Sequence, residues 1–448
     1  MRCSLLTVPG VVAIALVCAL TAACGSEQGA APQAVRSAGA TEPPASAVTP
    51  AQVDVLTWWN YGDRDIAARD QIEHMFTERH PETRYVDRWS DGEEYSSQGM
   101  MERIERDGGR VDVYQPWGDN AWRMDDDNGQ AADVSDLYDE LGLRDALPRG
   151  LLDALTVDGK IYRVPVAVSG GNVLWSDRRV LADAGLDPDA VYASVDEWIV
   201  AMCAVKAAGR DPIALGPWWT RQLLLENVLL SELGRNAYQG LWDGSTSWDA
   251  VEVVEAFRDF DTVVSLAADP DPATALEQDW SVQADRFADH GAAFLVMGDW
   301  AQARFVAAHR FYRKDYDAVA MPGTEGSVLL AGLDGNTFAM RDGAPHPDGA
   351  RAWLGVLASR EGQSALARTL GEVPARTDVD PSGFDQYTRE AMSRLREGTV
   401  IDSFTFGTRL GPEASAMIEK IGRKYSNHRV DIDVLRQTIA GAAAGGAR

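Results

Sequence analysis

A chain of 448 residues with 68 Asp and Glu against 42 Lys and Arg carries a formal net charge of −26. A body this acidic repels phosphate backbones and anionic headgroups, which excludes nucleic acid and the bare membrane surface as partners. Hydrophobic residues make up 45% and charged residues 25%, a globular balance. The roughly 400 residues from Ala51 onward exceed what one core supports, so two domains or lobes are expected.

Arg2 precedes an apolar run from Leu5 to Leu20 that ends in small residues before Cys24. That is the pattern of a secretory signal peptide over 1–23. No later stretch approaches the roughly 20 apolar residues of a membrane span. Cys3 and Cys18 leave with the signal, so Cys24 and Cys203 are the cysteines of the mature chain. Leu20-Thr21-Ala22-Ala23-Cys24-Gly25-Ser26 resembles a lipobox, with Thr21 where an aliphatic residue is usual. Cys24 is therefore the expected lipid-bearing residue and the anchor to the outer face of the cell membrane; a plain secreted chain is the alternative. Gly25 to Pro50 holds seven Ala, four Pro, three Gly and three Ser and no aromatic residue. Such a composition buries too little apolar surface to fold, so 24–52 is read as the lipidated Cys and a flexible tether.

From Val53 the chain alternates apolar and polar to Leu56 and reaches Trp58-Trp59. It then places Ile66, Ile72, Met75 and Phe76 on one helical face until His80-Pro81, giving strand, loop and helix. Thr83 to Trp89 and Val111 to Gln115 read as strands, with a polar helix between them ending at Gly108-Gly109. Alternation of strands and helices implies a parallel α/β sheet. Ligands collect at the carboxyl ends of such strands, where Trp58-Trp59 and Gln115-Pro116-Trp117 fall. A second α/β region opens at Ile161 to Val168, turns through Ser169-Gly170-Gly171 and continues as a strand from Asn172 to Trp175. Ser194 and Glu197 form a capping box, starting a helix with Trp198, Ile199, Met202 and Val205 on one side. Asp249 to Asp289 is mostly helical, Ala292 to Met297 is a short strand, and the last hundred residues are mainly helical, including Asp348 to Ala358.

This order of elements resembles the carbohydrate-binding members of the bacterial extracellular solute-binding proteins, the maltose-binding-like group that serves ABC importers. Five stretches resemble the glucose- and galactose-binding members. They are Trp58-Trp59, Gly159-Lys160-Ile161-Tyr162 with Pro165-Val166, Asn172-Val173-Leu174-Trp175, Ala214-Leu215-Gly216 before Trp218-Trp219-Thr220, and Val296-Met297-Gly298-Asp299-Trp300. The resemblance implies an α/β, periplasmic-binding-protein-like fold of class II type, with two α/β lobes joined by a hinge. Lobe 1 would take 53–164 and 338–374, and lobe 2 would take 165–337 and 375–448. It also implies a monomer that captures a mono- or small oligosaccharide and delivers it to membrane permease subunits.

A pyranose presents hydroxyls at its edge and C–H patches on its faces, so a site needs flat apolar plates and short polar groups. Trp58 and Trp59 are adjacent on a strand end and point oppositely, so at most one faces a cleft. Asp63 either accepts from a hydroxyl or caps the following helix. Gln115 and Trp117 lie at the next strand end. One of Trp218 and Trp219 is expected to face the cleft. Asp299 and Trp300 occupy the glycine-led loop where relatives stack a sugar, with a capping Asp and a buried Trp as the alternative. Ser169 stands where relatives often carry His or Glu, and Asn172 begins the strand that follows. Either Asp334 or Asn336 stands near the carboxylate that relatives supply, and Arg376 either reaches the cleft or forms a surface ion pair.

The competing classes are a lipid-anchored glycoside hydrolase, whose carboxylate pair would sit roughly 5 to 10 Å apart, and a binding protein for a charged solute. No glycosidase signature accompanies the acidic residues, so no catalytic residue is expected. His74, His80, His290, His309, His346 and His428 lack ligand spacing and no glycine-rich phosphate loop follows a strand, so no metal or cofactor is expected.

Overall fold

The computed structural model describes residues 51–448, except 61, 90–96, 117–129, 268–275, 277, 325–327, 333–334, 406–411 and 447–448. The signal, the tether up to Pro50, Cys24, Trp117 and Asp334 lie outside the described residues; Gln52, read as the tether's end, instead opens the first strand. Among those described, no helix is long and apolar enough to cross a membrane.

The first sheet has the order β2-β1-β3-β13-β6. Its strands are β1 (Gln52–Leu56), β2 (Arg84–Asp87), β3 (Val113–Tyr114), β13 (Thr337–Met340) and β6 (Arg163–Pro165). β1 runs parallel to β2 and β3, as the alternation with helices requires. β13 runs antiparallel to both β3 and β6, so the sheet is mixed rather than parallel throughout. β6 and β13 are the strands by which the chain leaves this body and returns to it. The helix Asp63–Arg79 buries Ala68, Ile72 and Phe76, while Ile66 stays on its solvent side.

The second sheet has the order β11-β8-β10-β9, from β8 (Val173–Asp177), β9 (Ile213–Ala214), β10 (Phe294–Val296) and β11 (Tyr316–Ala320). The capping position at Ser194 forms as expected: its hydroxyl accepts from Glu197 N at 3.2 Å. The Glu197 carboxylate closes the turn on Ala193 N at 2.8 Å, one residue earlier than a strict capping box. The helix Val195–Ala207 buries Trp198, Met202 and Val205, and Cys203 lies half-buried at the edge of that core.

The stretch that the sequence shows as Ile161 to Val168 followed by a turn at Ser169-Gly170-Gly171 serves three sheets, and its last strand runs on through Gly170. β4 (Thr156–Val157) and β5 (Lys160–Ile161) form a hairpin, β6 joins the first sheet, and β7 (Ala167–Gly170) enters a third. That third sheet, β14-β7-β12-β15, also contains β12 (Val328–Gly332), β14 (Val373–Pro374) and β15 (Thr399–Asp402). It lies where the chain passes between the two bodies. At the crossing, Val166 N donates to Asn336 O at 2.9 Å, and the buried Gln363 amide donates to Pro165 O at 3.0 Å.

Hydrophobic packing follows the sheets. One cluster centred on Leu56, Trp58 and Met100 covers one face of the first sheet, and another on Trp198, Phe257 and Phe260 covers one face of the second. The largest runs from Val53 and Trp353 through Val166 and Val168 to Trp175 and Phe305.

The long helical run Trp218–Asp243 breaks at Gly234, where φ is 68°, a value that a side chain resists. Glu226 in its first half is buried and accepts from the Tyr238 hydroxyl, from Ser403 Oγ at 2.7 Å and from Phe404 N at 2.8 Å. Burial still holds its carboxyl above the usual range. Glu226→Ala removes the carboxylate that accepts from three buried donors and should lower unfolding free energy by about 3 kcal/mol. Urea denaturation followed by circular dichroism measures this; a change below about 1 kcal/mol would contradict the assigned role.

Candidate functional site

β1 and β3 end side by side, and Thr57, Trp58, Trp59 and Gln115 follow them. Trp58 and Trp59 point to opposite faces, as strand geometry demands, and each is only 5% exposed. Trp58 donates its indole N–H to Ser97 Oγ at 3.0 Å and meets Trp89 edge-on at 5.1 Å between centroids. Trp59 meets Phe338 edge-on at 5.0 Å. Both indoles pack inward.

The Gln115 amide is fully engaged. Its oxygen accepts from Thr57 Oγ1 at 2.7 Å and Trp58 N at 2.8 Å, and its nitrogen donates to Gly335 O. It therefore ties the ends of β1 and β3 to the second crossing. Asp63 is the exposed first residue of its helix, with Gly62 at the cap position and no side-chain cap.

Several other sequence-selected residues brace the crossing. Asn172 acts as an extra backbone unit, donating to Val328 O at 2.8 Å and accepting from Leu330 N at 3.0 Å. Asn336 donates its amide to Ser169 Oγ at 2.7 Å. Arg376 is buried, pairs with Asp378 at 2.8 Å and donates to Leu141 O and Ala358 O at 3.2 Å each. Trp218 is buried, its indole donating to Gln222 Oε1 at 3.1 Å.

Trp219, Trp300 and Asp299 differ from these. Trp219 and Trp300 are each partly exposed, with ring centroids 6.3 Å apart and planes inclined by 38°. β10 delivers Trp300 through Gly298, and the indole folds back over that glycine, so that a Cβ at 298 would fall inside the ring. Asp299 starts a short 3₁₀ turn, Asp299–Ala301, without capping it. Its Oδ2 instead accepts from Gly170 N on β7 at 2.9 Å. Gly170 permits this approach, since a Cβ there would stand 3.3 Å from Oδ2.

Asp299 is 2% exposed and its Oδ1 has no hydrogen-bond partner. Burial pushes its carboxyl up to about 7, against the opposing pull of Gly170 N–H and the Arg394 charge. A narrow cavity with free space of about 30 Å³, lined by Val168, Gly170, Asn172, Asp299, Tyr387 and Arg394 among others, adjoins it. That is room for a water. Tyr387 and Arg394 belong to the helix Gln386–Glu397, which sequence reasoning did not connect to the site. They were missed because they lie on an ordinary amphipathic helix with nothing local to mark them.

Asp54, Asp112 and His346 bring ligand-type atoms within 4.8 Å of one another. Their acceptors are already taken. Arg88 and the Gln52 amide bond Asp54. Asp112 accepts from Asp54 N at 2.8 Å and from His346 N at 2.8 Å, and lies 2.9 Å from His346 Nδ1. Arg88 supplies the positive charge that a cation would bring, and the cluster reads as a polar brace.

Two α/β bodies joined by crossing strands, with paired tryptophans and a buried carboxyl beside the joint, define a two-lobed binding protein. The chain belongs to the family described as bacterial extracellular solute-binding protein, whose model matches residues 62–364. It is 27% identical over 315 residues to a probable sugar-binding periplasmic protein of Mesorhizobium japonicum, covering 67% of this chain and 72% of that protein. It is 26% identical over 340 residues to the xylose/arabinose-binding protein XacG of Haloferax volcanii, covering 74% and 71%. In structure it is similar to a chitin oligosaccharide binding protein (TM-score 0.72, 19% identity, 88% of this chain and 98% of that one). It is likewise similar to maltose-bound MalE3 of T. maritima (TM-score 0.68, 16% identity, 88% and 99%); these likenesses bear on the fold.

Gly298→Ala tests the seating of Trp300. Overpacking there should cost about 2 kcal/mol and shift tryptophan emission as the indole leaves its place. A variant with unchanged melting and emission would mean that the ring does not rest on this glycine.

Proposed function

We propose that this chain is the sugar-capturing component of an ABC importer. It would be held outside the cytoplasmic membrane by lipid on Cys24 and release a mono- or small oligosaccharide to membrane permease subunits. The observation that carries the sugar reading is the facing pair of half-exposed indoles, Trp219 and Trp300, beside the buried carboxyl of Asp299. The names of relatives that bind xylose, arabinose or other sugars support it. Trp300 and Trp219 stack on the C–H faces of the ring and Asp299 accepts from hydroxyls. Trp58, Trp59, Trp218, Gln115, Ser169, Asn172, Asn336 and Arg376 form the frame that holds these three groups. Asp63, Trp117 and Asp334 remain proposed edge contacts.

Each indole face that removes about 60 Å² of apolar sugar surface from water contributes roughly 1.5 kcal/mol. Each charged hydrogen bond adds about 1.5 to 3 kcal/mol. Binding favours the arrangement in which both bodies touch the ligand, and closure is the state a permease recognises. The chemistry is capture and release, with no bond made or broken.

Tryptophan fluorescence titrated with galactose, glucose, xylose, arabinose, maltose and chitobiose tests this. At least one sugar should quench or shift emission with micromolar affinity, and nitrophenyl glycosides should stay intact. No response to any of them removes the sugar assignment. Trp300→Ala should weaken the responding sugar by about 10- to 100-fold, the loss of one stacking plate. Trp218→Ala should act on stability instead, since that ring lies in the core; an affinity loss at Trp218 equal to that at Trp300 would invert the assignment.

A further inference from the structure

Glu372 carries no sequence signal, and its setting is chemically unusual. It follows Gly371 at the end of the helix Arg360–Leu370, which packs on Asp63–Arg79 of the first body, and it leads directly into β14. Gly371 has φ 74°, and a Cβ there would stand 3.0 Å from the Cβ of Ala303. Ala303 lies on the helix Gln302–Ala307, which continues the Asp299–Ala301 turn of the second body. The two bodies therefore meet at this glycine, with Glu372 one residue away on one side and Asp299 four residues away on the other.

Each carboxyl has one oxygen sealed from solvent and without a hydrogen-bond partner, Oε2 of Glu372 and Oδ1 of Asp299. An ionised carboxylate in that state loses hydration at the sealed oxygen without compensation. Two of them near one another cannot both stay charged cheaply, and the ordinary solution is that one of the pair keeps its proton.

We propose that Glu372 and Asp299 form a two-carboxyl latch across the junction of the bodies, so that closure on a neutral sugar takes up a proton and Glu372 helps retain the ligand. This rests on the sugar-binding reading above. Burial, and then the charge of Asp299, pushes Glu372 up to about 8, opposed by Arg64 and reinforced by Asp65. Asp299 faces Arg394 and Tyr387 from the helix Gln386–Glu397, and Arg304 on Gln302–Ala307 faces Arg64. Asp299 thus ionises first, and its charge keeps Glu372 in the acid form.

The direction of the pH effect follows. When the bodies part, water reaches both carboxyls and they return toward their ordinary values near 4. Groups whose values are raised in the closed form favour closure while protonated. That advantage is lost as pH rises through about 7 for Asp299 and about 8 for Glu372.

Calorimetric titration of galactose, xylose and maltose at pH 6.5, 7.5 and 8.5, in buffers of different ionisation enthalpy, tests the latch. A sugar that binds should do so about a hundredfold more weakly at pH 8.5 than at pH 6.5, with close to one proton taken up at pH 7.5. Glu372→Gln keeps the shape and removes the titration; it should fold, bind and lose most of the pH dependence. Wild-type affinity independent of pH, or a Glu372→Gln variant with the full slope, overturns the latch. Affinity that instead rises with pH also overturns it. If none of the three sugars binds, infrared spectra at pH 6.5 of the protein held closed by a disulfide between Gly371→Cys and Ala303→Cys, whose Cβ positions lie 3.0 Å apart, decide separately. A protonated-carboxyl band present in that closed form and lost when Glu372→Gln is added supports the latch, and its absence from the closed form overturns it.

Discussion

Everything that gathers at the joint depends on two strands crossing between the bodies side by side. β6 runs into β7 with only Val166 between them, and β12 is followed in the chain, after residues 333–336, by β13. The pair is fixed by Val166 N on Asn336 O and by the Asn336 amide on the Ser169 hydroxyl. Without these bonds two buried backbone groups and two side chains would lack partners at the point where the least backbone connects the halves. Short polar side chains serve here because a longer one would hold the strands apart. The same economy explains Asn172, whose amide completes the edge of β12 where its own strand has not begun.

The aromatic residues are divided by how they are delivered. A tryptophan within or just after a strand is committed to one face of the sheet, and in a sheet covered on both faces each side is core; Trp58 and Trp59 show both outcomes at once. Trp300 comes from a glycine-led turn rather than a strand, so its plane can lie across its own backbone instead of entering the core. Trp219 sits in the first turn of its helix beside Trp218, and the helix sends one ring into packing and leaves the other at the rim.

Much of the fold was legible because period-two and period-3.6 patterns report faces directly, as at Val53–Leu56, Ile72–Phe76 and Trp198–Val205. The mixed direction of the sheets was not, because pairing direction depends on where a strand arrives from and not on its own residues. At the candidate site, Asp299, Trp300 and Trp219 could be picked from residue type and loop position. Gln115 was also picked, yet its amide is spent on Thr57, Trp58 and Gly335, and nothing local reveals that a partner lies 220 residues away. Glu372, Tyr387 and Arg394 escaped for the complementary reason: they approach Asp299 only after the last third of the chain folds back over the joint.

The largest hydrophobic cluster does not stop at the crossing. It is continuous from Trp353 in one half, through Val166 and Val168, to Trp175 and Phe305 in the other. Heat or denaturant therefore meets a single cooperative unit, since loosening either half strips apolar neighbours from the strands that belong to both. The halves can rock about their shared strands, but neither can melt while its partner stays ordered, and a destabilising change in one half is felt in the thermal transition of the whole.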